Sequence, residues 1–139
     1  MDALRLQIGE FSFTAGWEAA APKTRVALQR LLPIRARLVH VRWSGEATWI
    51  PLGDLTLGVG YENSTSHPGP GQLLVYTGQL SECEILIPYG ACLFSSIAGQ
   101  LAGNHFASIL EGMDMLAELG RRILWEGAQK ISIEERAAD

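Results

Sequence analysis

The sequence predicts a mainly β domain carrying two helices, and three observations predict it. Short runs of alternating polarity recur along most of the chain. Two stretches instead place apolar residues at spacings of three and four. Between the runs, Gly, Pro, Asn and Ser gather where the chain must turn.

The opening segment alternates: Leu4, Leu6 and Ile8 face one way, Arg5 and Gln7 the other, as in a half-buried strand. The alternation slips at Gly9 before Phe11 and Phe13 resume the apolar face, so a bulge or tight reversal is expected there. Ala21-Pro22-Lys23-Thr24 leads into Val26, Ala27, Leu28, Leu31 and Leu32 at helical spacing. Pro22 suits the first helical turn, where its missing N–H has no partner to lose, and Pro33 stops the helix. From Arg37 to Trp43 the chain alternates again, with Leu38, His40 and Arg42 on one face and Val39, Val41 and Trp43 on the other. Ser44-Gly45-Glu46 turns it, and Ala47 to Pro51 returns as a strand carrying Trp49, which makes a hairpin. Gly53 to Gly71 is rich in Gly, Asn, Ser and Pro and reads mainly as loop. Gln72 to Tyr76 and Glu84 to Pro88 form two strands around a turn near Gly78. Beyond Tyr89-Gly90, the spacing of Phe106, Ile109, Leu110, Met113 and Leu116 predicts a second helix, with Asn104 as its N-cap and Gly120 just past its end. Ala128 to Ile133 is the final strand, and the Glu-, Arg- and Ala-rich end frays.

At 139 residues the chain makes one domain, 1–139, large enough to bury its own core. The net charge is −4 and no stretch concentrates Lys and Arg, which disfavours nucleic acid as a partner. An apolar content of 47% against 19% charged residues is high for a small monomer and points to a homo-oligomer. Cys83 and Cys92 lack a CxxC spacing and read as free thiols of a reducing, cytoplasmic compartment. There is no basic-then-apolar leader and no apolar run approaching roughly 18 residues, so no membrane partner is expected. His40, His67 and His105 show no HxH or HExxH spacing, so no metal is assigned. Gly58-Val59-Gly60 lacks a third glycine and a strand-to-helix setting, and no cofactor is implied.

Several pieces taken in order resemble a known group. Leu4 to Phe13 leading into Ala21-Pro22-Lys23-Thr24 resembles the opening strand and helix of cyclophilins, and Trp49-Ile50-Pro51-Leu52-Gly53-Asp54 is similar to the cyclophilin segment that ends in Gly-Asp. Pro68-Gly69-Pro70-Gly71, Tyr89-Gly90, Leu101 to Phe106 and Glu126-Gly127-Ala128 are similar to bacterial proteins of unknown function with a cyclophilin-like fold. The resemblance implies a small closed cyclophilin-like β-barrel with a helix at each end. In true cyclophilins an arginine donates to the prolyl amide nitrogen and so weakens the resonance that holds the bond planar. Arg42 is the nearest counterpart, but it follows His40 by two positions where cyclophilins have adjacent His and Arg. Pro51-Leu52 also replaces the glutamine expected before Gly-Asp, and the later Trp and His pair is missing.

The candidate site residues fall into groups. Arg42, His40 and Glu46 surround the hairpin, where Arg42 either clamps a ligand carboxylate or pairs with Glu46 at the surface. Glu62, Asn63, Thr65 and His67 lie on the long loop, as pocket lining or as turn-forming residues. Asn104 and His105 begin the expected second helix, where His105 is a candidate acid or base. Trp49, Tyr76 and Tyr89 are either pocket aromatics or core. Within this set Arg42, Glu62, His67 and His105 are the catalytic candidates. The leading functional expectation is a protein that binds, and can transform, a small polar metabolite bearing an amide or carboxylate. The alternatives are a prolyl isomerase or peptide-binding module, and a non-catalytic homo-oligomeric assembly protein.

Overall fold

Alternating inward and outward side chains can close on themselves only if every strand of the sheet finds two neighbours, and here the eight long strands do. The computed structural model describes residues 2–78 and 80–136. Its long strands are β1 (Ala3–Ile8), β2 (Phe11–Trp17), β3 (Ile34–His40), β4 (Gly45–Pro51), β6 (Gln72–Tyr76), β7 (Glu84–Cys92), β10 (Gly103–Glu111) and β11 (Gln129–Arg136). Short strands β5 (Ser64–Thr65), β8 (Ser95–Ser96) and β9 (Gly99–Gln100) lie in the connections. The two helices are α1 (Pro22–Gln29) and α2 (Met113–Glu126). Around the barrel the order is β2-β1-β11-β3-β4-β7-β6-β10, and β10 pairs back onto β2. Every pairing is antiparallel. The result is the expected mainly β, closed eight-stranded barrel with two helices.

The inward faces fill the interior. Leu4, Leu6 and Ile8 meet Phe11 and Phe13, with Ile131 and Ile133 beside them and Ile85, Ile87, Phe106 and Ile109 across the core. An eight-stranded barrel is just wide enough to be filled this way, so its centre is packed rather than open. Truncating Phe13, which is 2% exposed, removes about 3–5 kcal/mol. Helix α2 adds Leu116, Leu119 and Ile123 to the core and α1 adds Leu28, so a helix covers each end. A second apolar cluster lies outside the barrel wall, where Phe94 and Leu101 of the segment between β7 and β10 cover Leu74, Tyr76 and Leu86.

Several elements differ from the sequence reading. The slip at Gly9 is a tight reversal: Ile8 faces Phe11, and Gly9 takes φ +55. The first helix ends at Gln29, and Leu31 and Leu32 pack on the core from the connection that follows. The hairpin strand runs Ile34–His40, and a 3-10 turn, Arg42–Ser44, replaces its last residues. Only Val39–Trp49 and His40–Thr48 pair across that hairpin. The last strand continues to Arg136, past Ile133; residues 137–139 lie outside the described part.

The largest correction concerns Asn104 to Gly120. Asn104 through Glu111 is strand, not helix, so Asn104 caps nothing; Gly120 lies inside α2, which stops at Gly127. A bulge between His105 and Ala107 turns Phe106 and Ala107 both inward, and a second irregularity follows between Ile109 and Glu111. A bulge adds one residue to the period of two, which yields the spacing of three that imitates a helix.

Among the described residues, no helix is long and apolar enough to cross a membrane. One buried carboxyl stands out in the wall. Glu84 sits opposite Pro51 and Tyr76, 4% exposed. Burial, with a smaller contribution from Glu82, pushes its carboxyl from 4.5 up to about 8. The folded state therefore holds the proton more tightly than the unfolded chain. Stability is full below the unfolded value and falls as pH rises towards 8, with a limiting slope of about 1.4 kcal/mol per pH unit. Glu84→Gln is expected to flatten that decline; thermal melts from pH 5 to 8.5 with the same slope in both proteins would refute the assignment.

Candidate functional site

Strand direction decides which polar residues can meet. β3 leaves the α1 end and carries His40 to the α2 end, while β10 starts at the opposite end with Asn104 and finishes at Glu111, one residue before α2. The expected site residues therefore divide into two sets at opposite ends of the barrel, and Arg42 does not join the Glu62–His67 segment in one cavity.

At the α1 end the polar groups bind one another. The Glu62 carboxylate accepts the backbone N–H of Thr24 at 2.8 Å, the Thr24 hydroxyl at 2.7 Å and the Lys23 N–H at 3.2 Å. Those are first-turn donors of α1, whose own N-cap residue, Ala21, offers no side-chain acceptor. Desolvation opposes ionisation of Glu62, but the Thr24 and Lys23 hydrogen bonds prevail and hold its carboxyl below the ordinary range. Asn104 is wholly buried: its Oδ1 accepts the Glu62 N–H at 3.0 Å, and its Nδ2 donates to Gly60 O at 2.9 Å and Thr24 Oγ1 at 3.1 Å. Asn63 adopts φ 51 and donates to the His105 carbonyl at 2.9 Å. Thr65 accepts the His67 N–H at 3.0 Å, and the His67 side chain is exposed. Most of the loop polars thus hold the loop, α1 and β10 together.

His105 belongs to a different cluster. The bulge at Phe106 puts His105 and Ser108 on the same outer face although they are three apart. His105 Nε2 lies 2.8 Å from Ser108 Oγ, which donates to Glu18 Oε1 at 2.6 Å; His105 is also 3.3 Å from Glu18. Glu18 and Ser108 line a groove of about 440 Å³ with Trp17, Arg25 and Leu110. Sequence reasoning missed Glu18 and Ser108. The spacing of three between His105 and Ser108 was a local signal for that pair, but the Glu18 partner comes from beyond β2 and leaves none.

At the α2 end, His40 and Tyr89 point inward beneath the helix. Their alternation matches Leu38 on β3 and Ile87 on β7, which are core residues. Gly120 makes this possible, because a side chain there would collide with the Tyr89 ring. The Tyr89 hydroxyl lies 2.7 Å from His40 Nε2, and the rings meet edge to face at 5.5 Å. His40 Nδ1 is buried without a hydrogen-bond partner, the one such side-chain atom among the described residues. Arg42 and Glu46 are exposed at the lip. Glu46 Oε1 accepts the Ala91 N–H at 2.9 Å, while Arg42 makes no salt bridge among the described residues. Burial and then the Arg42 charge lower the His40 pKa, partly offset by Glu46. Burial and Glu46 raise that of Tyr89 against Arg42 and Arg121.

The remaining aromatics pack on the outer wall. Trp49 meets Trp43 at 6.3 Å, and Tyr76 packs on Phe94 while its hydroxyl accepts the Leu80 N–H at 2.9 Å. Among the described residues no three His, Cys, Asp or Glu side chains form a metal-ligating group. Burial pushes both Cys83 and Cys92 up to about 11, with Glu84 and Glu82 adding to the effect at Cys83, so neither is a thiolate near neutral pH.

Comparison with known proteins agrees with this architecture. A family model described as a protein of unknown function (DUF3830) matches residues 4–135. The structure of McbB in complex with tryptophan superposes with a TM-score of 0.69 at 19% identity, over 98% of this chain and 46% of that one. The chain thus spans about half the length of McbB. The solution structure of the hypothetical protein AF2241 from Archaeoglobus fulgidus gives 0.64 at 17% identity, over 95% of this chain and 92% of that one. No curated protein matches the sequence. At these identities the likeness shows the fold, a closed barrel of the cyclophilin-like kind.

Two measurements check the two ends. Asn104→Ala leaves buried partners unsatisfied and is expected to destabilise the protein by about 1–3 kcal/mol in denaturant titration; an unchanged midpoint would remove the staple. The His40 ring is expected to titrate below 6.5 by NMR, so stability is lost as pH falls below that value. Arg42→Gln should move the titration upward, and an unmoved curve would separate the two side chains.

Proposed function

The chain belongs to the DUF3830 family, a family of unknown function, and from that premise we propose that it binds a compact polar metabolite bearing a carboxylate or amide at the α2-capped mouth of the barrel. The observation that carries this reading is the His40 imidazole, turned inward with its Nε2 against the Tyr89 hydroxyl and its Nδ1 unpartnered among the described residues. A buried polar atom without a partner is unfavourable by about 1–3 kcal/mol unless something bonds to it. Arg42 at the lip supplies a guanidinium with no salt bridge among the described residues, whose fork donates two parallel hydrogen bonds to a carboxylate. Tyr89 and the neutral His40 ring supply a donor and an acceptor for an amide or hydroxyl. Glu46 repels a second negative charge, which favours a monoanion. A barrel neighbour described in complex with tryptophan supports a ligand of this class. The loop residues Glu62 and Asn63, with Asn104 of β10, act as the framework of the other end. The prolyl-isomerase alternative rests on the resemblance to cyclophilins alone.

A second reading, self-association, is favoured by Ile97 and Trp125, which are 87% and 80% exposed. Light scattering over a concentration series separates it from ligand binding.

The central test is a thermal-shift screen of small carboxylates and primary amides. At least one should raise the melting temperature of the native protein, and Arg42→Ala should abolish that rise. No response across the panel, or an equal response in the variant, would defeat the proposal.

A further inference from the structure

The sequence holds no long basic run, but the barrel gathers three of its cations. On β3 the core-facing residues are Ile34, Ala36 and Leu38, so Arg35 and Arg37 point outward. On β11 Ile131 and Ile133 face the core, so Lys130 and Ser132 point outward. Register places Lys130 directly opposite Arg37 and Ser132 directly opposite Arg35. Directly opposed side chains on one sheet face stand about 4.5–5.5 Å apart at Cβ, and like charges so placed repel. Here three of the chain's eleven Lys and Arg residues share one small patch of an otherwise acidic protein. None of the three makes a salt bridge among the described residues.

The same patch is concave. Arg35, Arg37, Lys130, Ser132 and Gln7 line a cavity of about 530 Å³, to which no Asp or Glu contributes. Gln7 is a fixed wall: its Oε1 accepts the Ser12 hydroxyl and its Nε2 donates to the Gly9 carbonyl at 2.9 Å. Gly9 completes the lining. Repelling cations around a preformed hollow are what a bound anion would relieve, and guanidinium forks suit phosphate and carboxylate oxygens.

We propose that this outer face of β1, β11 and β3 is a second site, which holds a compact polyanion with two or more phosphate or carboxylate groups on Arg35, Arg37 and Lys130, with the Ser132 hydroxyl as a further donor. The hollow is small and the remaining surface is acidic, which disfavours an extended nucleic acid strand. The proposal is independent of the α2-end site, since it uses none of its residues.

Calorimetric titration with inorganic pyrophosphate and with citrate tests it, and comparing the two separates a phosphate ligand from a polycarboxylate. One of them should bind with one-to-one stoichiometry at low salt. Arg37→Gln and Lys130→Gln should each weaken it at least tenfold, while Arg30→Gln, at an exposed position outside the hollow, leaves it unchanged. Without ligand, the Arg37→Gln and Lys130→Gln variants should melt at or above the native temperature, because repulsion has been removed. Binding of neither anion, equal affinity in the variants, a lowered ligand-free melting temperature, or tighter binding of a short DNA strand than of either small anion would each overturn the proposal.

Discussion

Strand β10 carries the constraint on which the rest of the molecule depends. It must pair with β6 along its first half and with β2 along its second, and only by doing both does it close the sheet. A closed barrel has no free edge, so its strands cannot recruit another chain by edge pairing. The two irregularities in β10 make the double engagement possible, because a bulge sharpens the local twist and lets a strand change partners. The inward bulge also places Phe106 and Ala107 side by side in the core and delivers His105 and Ser108 together to the surface. At its start, Asn104 ties the long loop to α1; at its end, Gly112 turns the chain into α2 with a positive φ, against Phe13.

That dependence explains what could be read from the sequence. β1, β2 and the first part of β11 were legible because their alternation is uninterrupted and Leu4, Leu6, Ile8, Phe11, Phe13, Ile131 and Ile133 fall on the inward face. α1 was legible because Pro22 marks its start and Ala27 and Leu28 its buried side, although Leu31 and Leu32 extended it too far. β10 was not, since two bulges impose spacings of three on a strand, and no local feature distinguishes that from a helical face. Asn104 illustrates the consequence: as a helix cap it would have been a surface residue, whereas as a strand residue it is buried and fully bonded. The site suffered in the same way. His40, Arg42, Glu46 and Tyr89 were all recognisable as polar or aromatic residues near turns, and three of the four come from one short stretch. That Glu62 and Asn63 lie at the other end follows from strand direction, which no residue type reveals.

Charge shows the same separation between a chain and its fold. Arg35 and Arg37 are near neighbours in sequence, but Lys130 is far from both, and nothing along the chain shows the three as one group. Two strands that alternate in phase and pair in register bring them onto one face. Patterning therefore hides a charge patch whenever its members come from strands that meet only after the sheet is formed.

The packed interior limits where chemistry can occur. Lipocalin-like barrels keep their centre for a ligand, but here Phe13, Leu6 and Phe106 occupy it, and both mouths carry helices. Any ligand must therefore engage a rim or the outer wall. At the α1 rim the acceptors and donors of Glu62, Thr24 and Asn104 are already used on one another, and a ligand would have to displace them. At the α2 rim the helix comes close enough, through Gly120, to press Tyr89 against His40, yet one nitrogen remains without a partner. A fold under selection for stability alone would have replaced that histidine with an apolar side chain, as it has at Leu38 one turn of the pleat below. The retained imidazole, next to a guanidinium that makes no salt bridge among the described residues, is the feature of this end that packing does not explain.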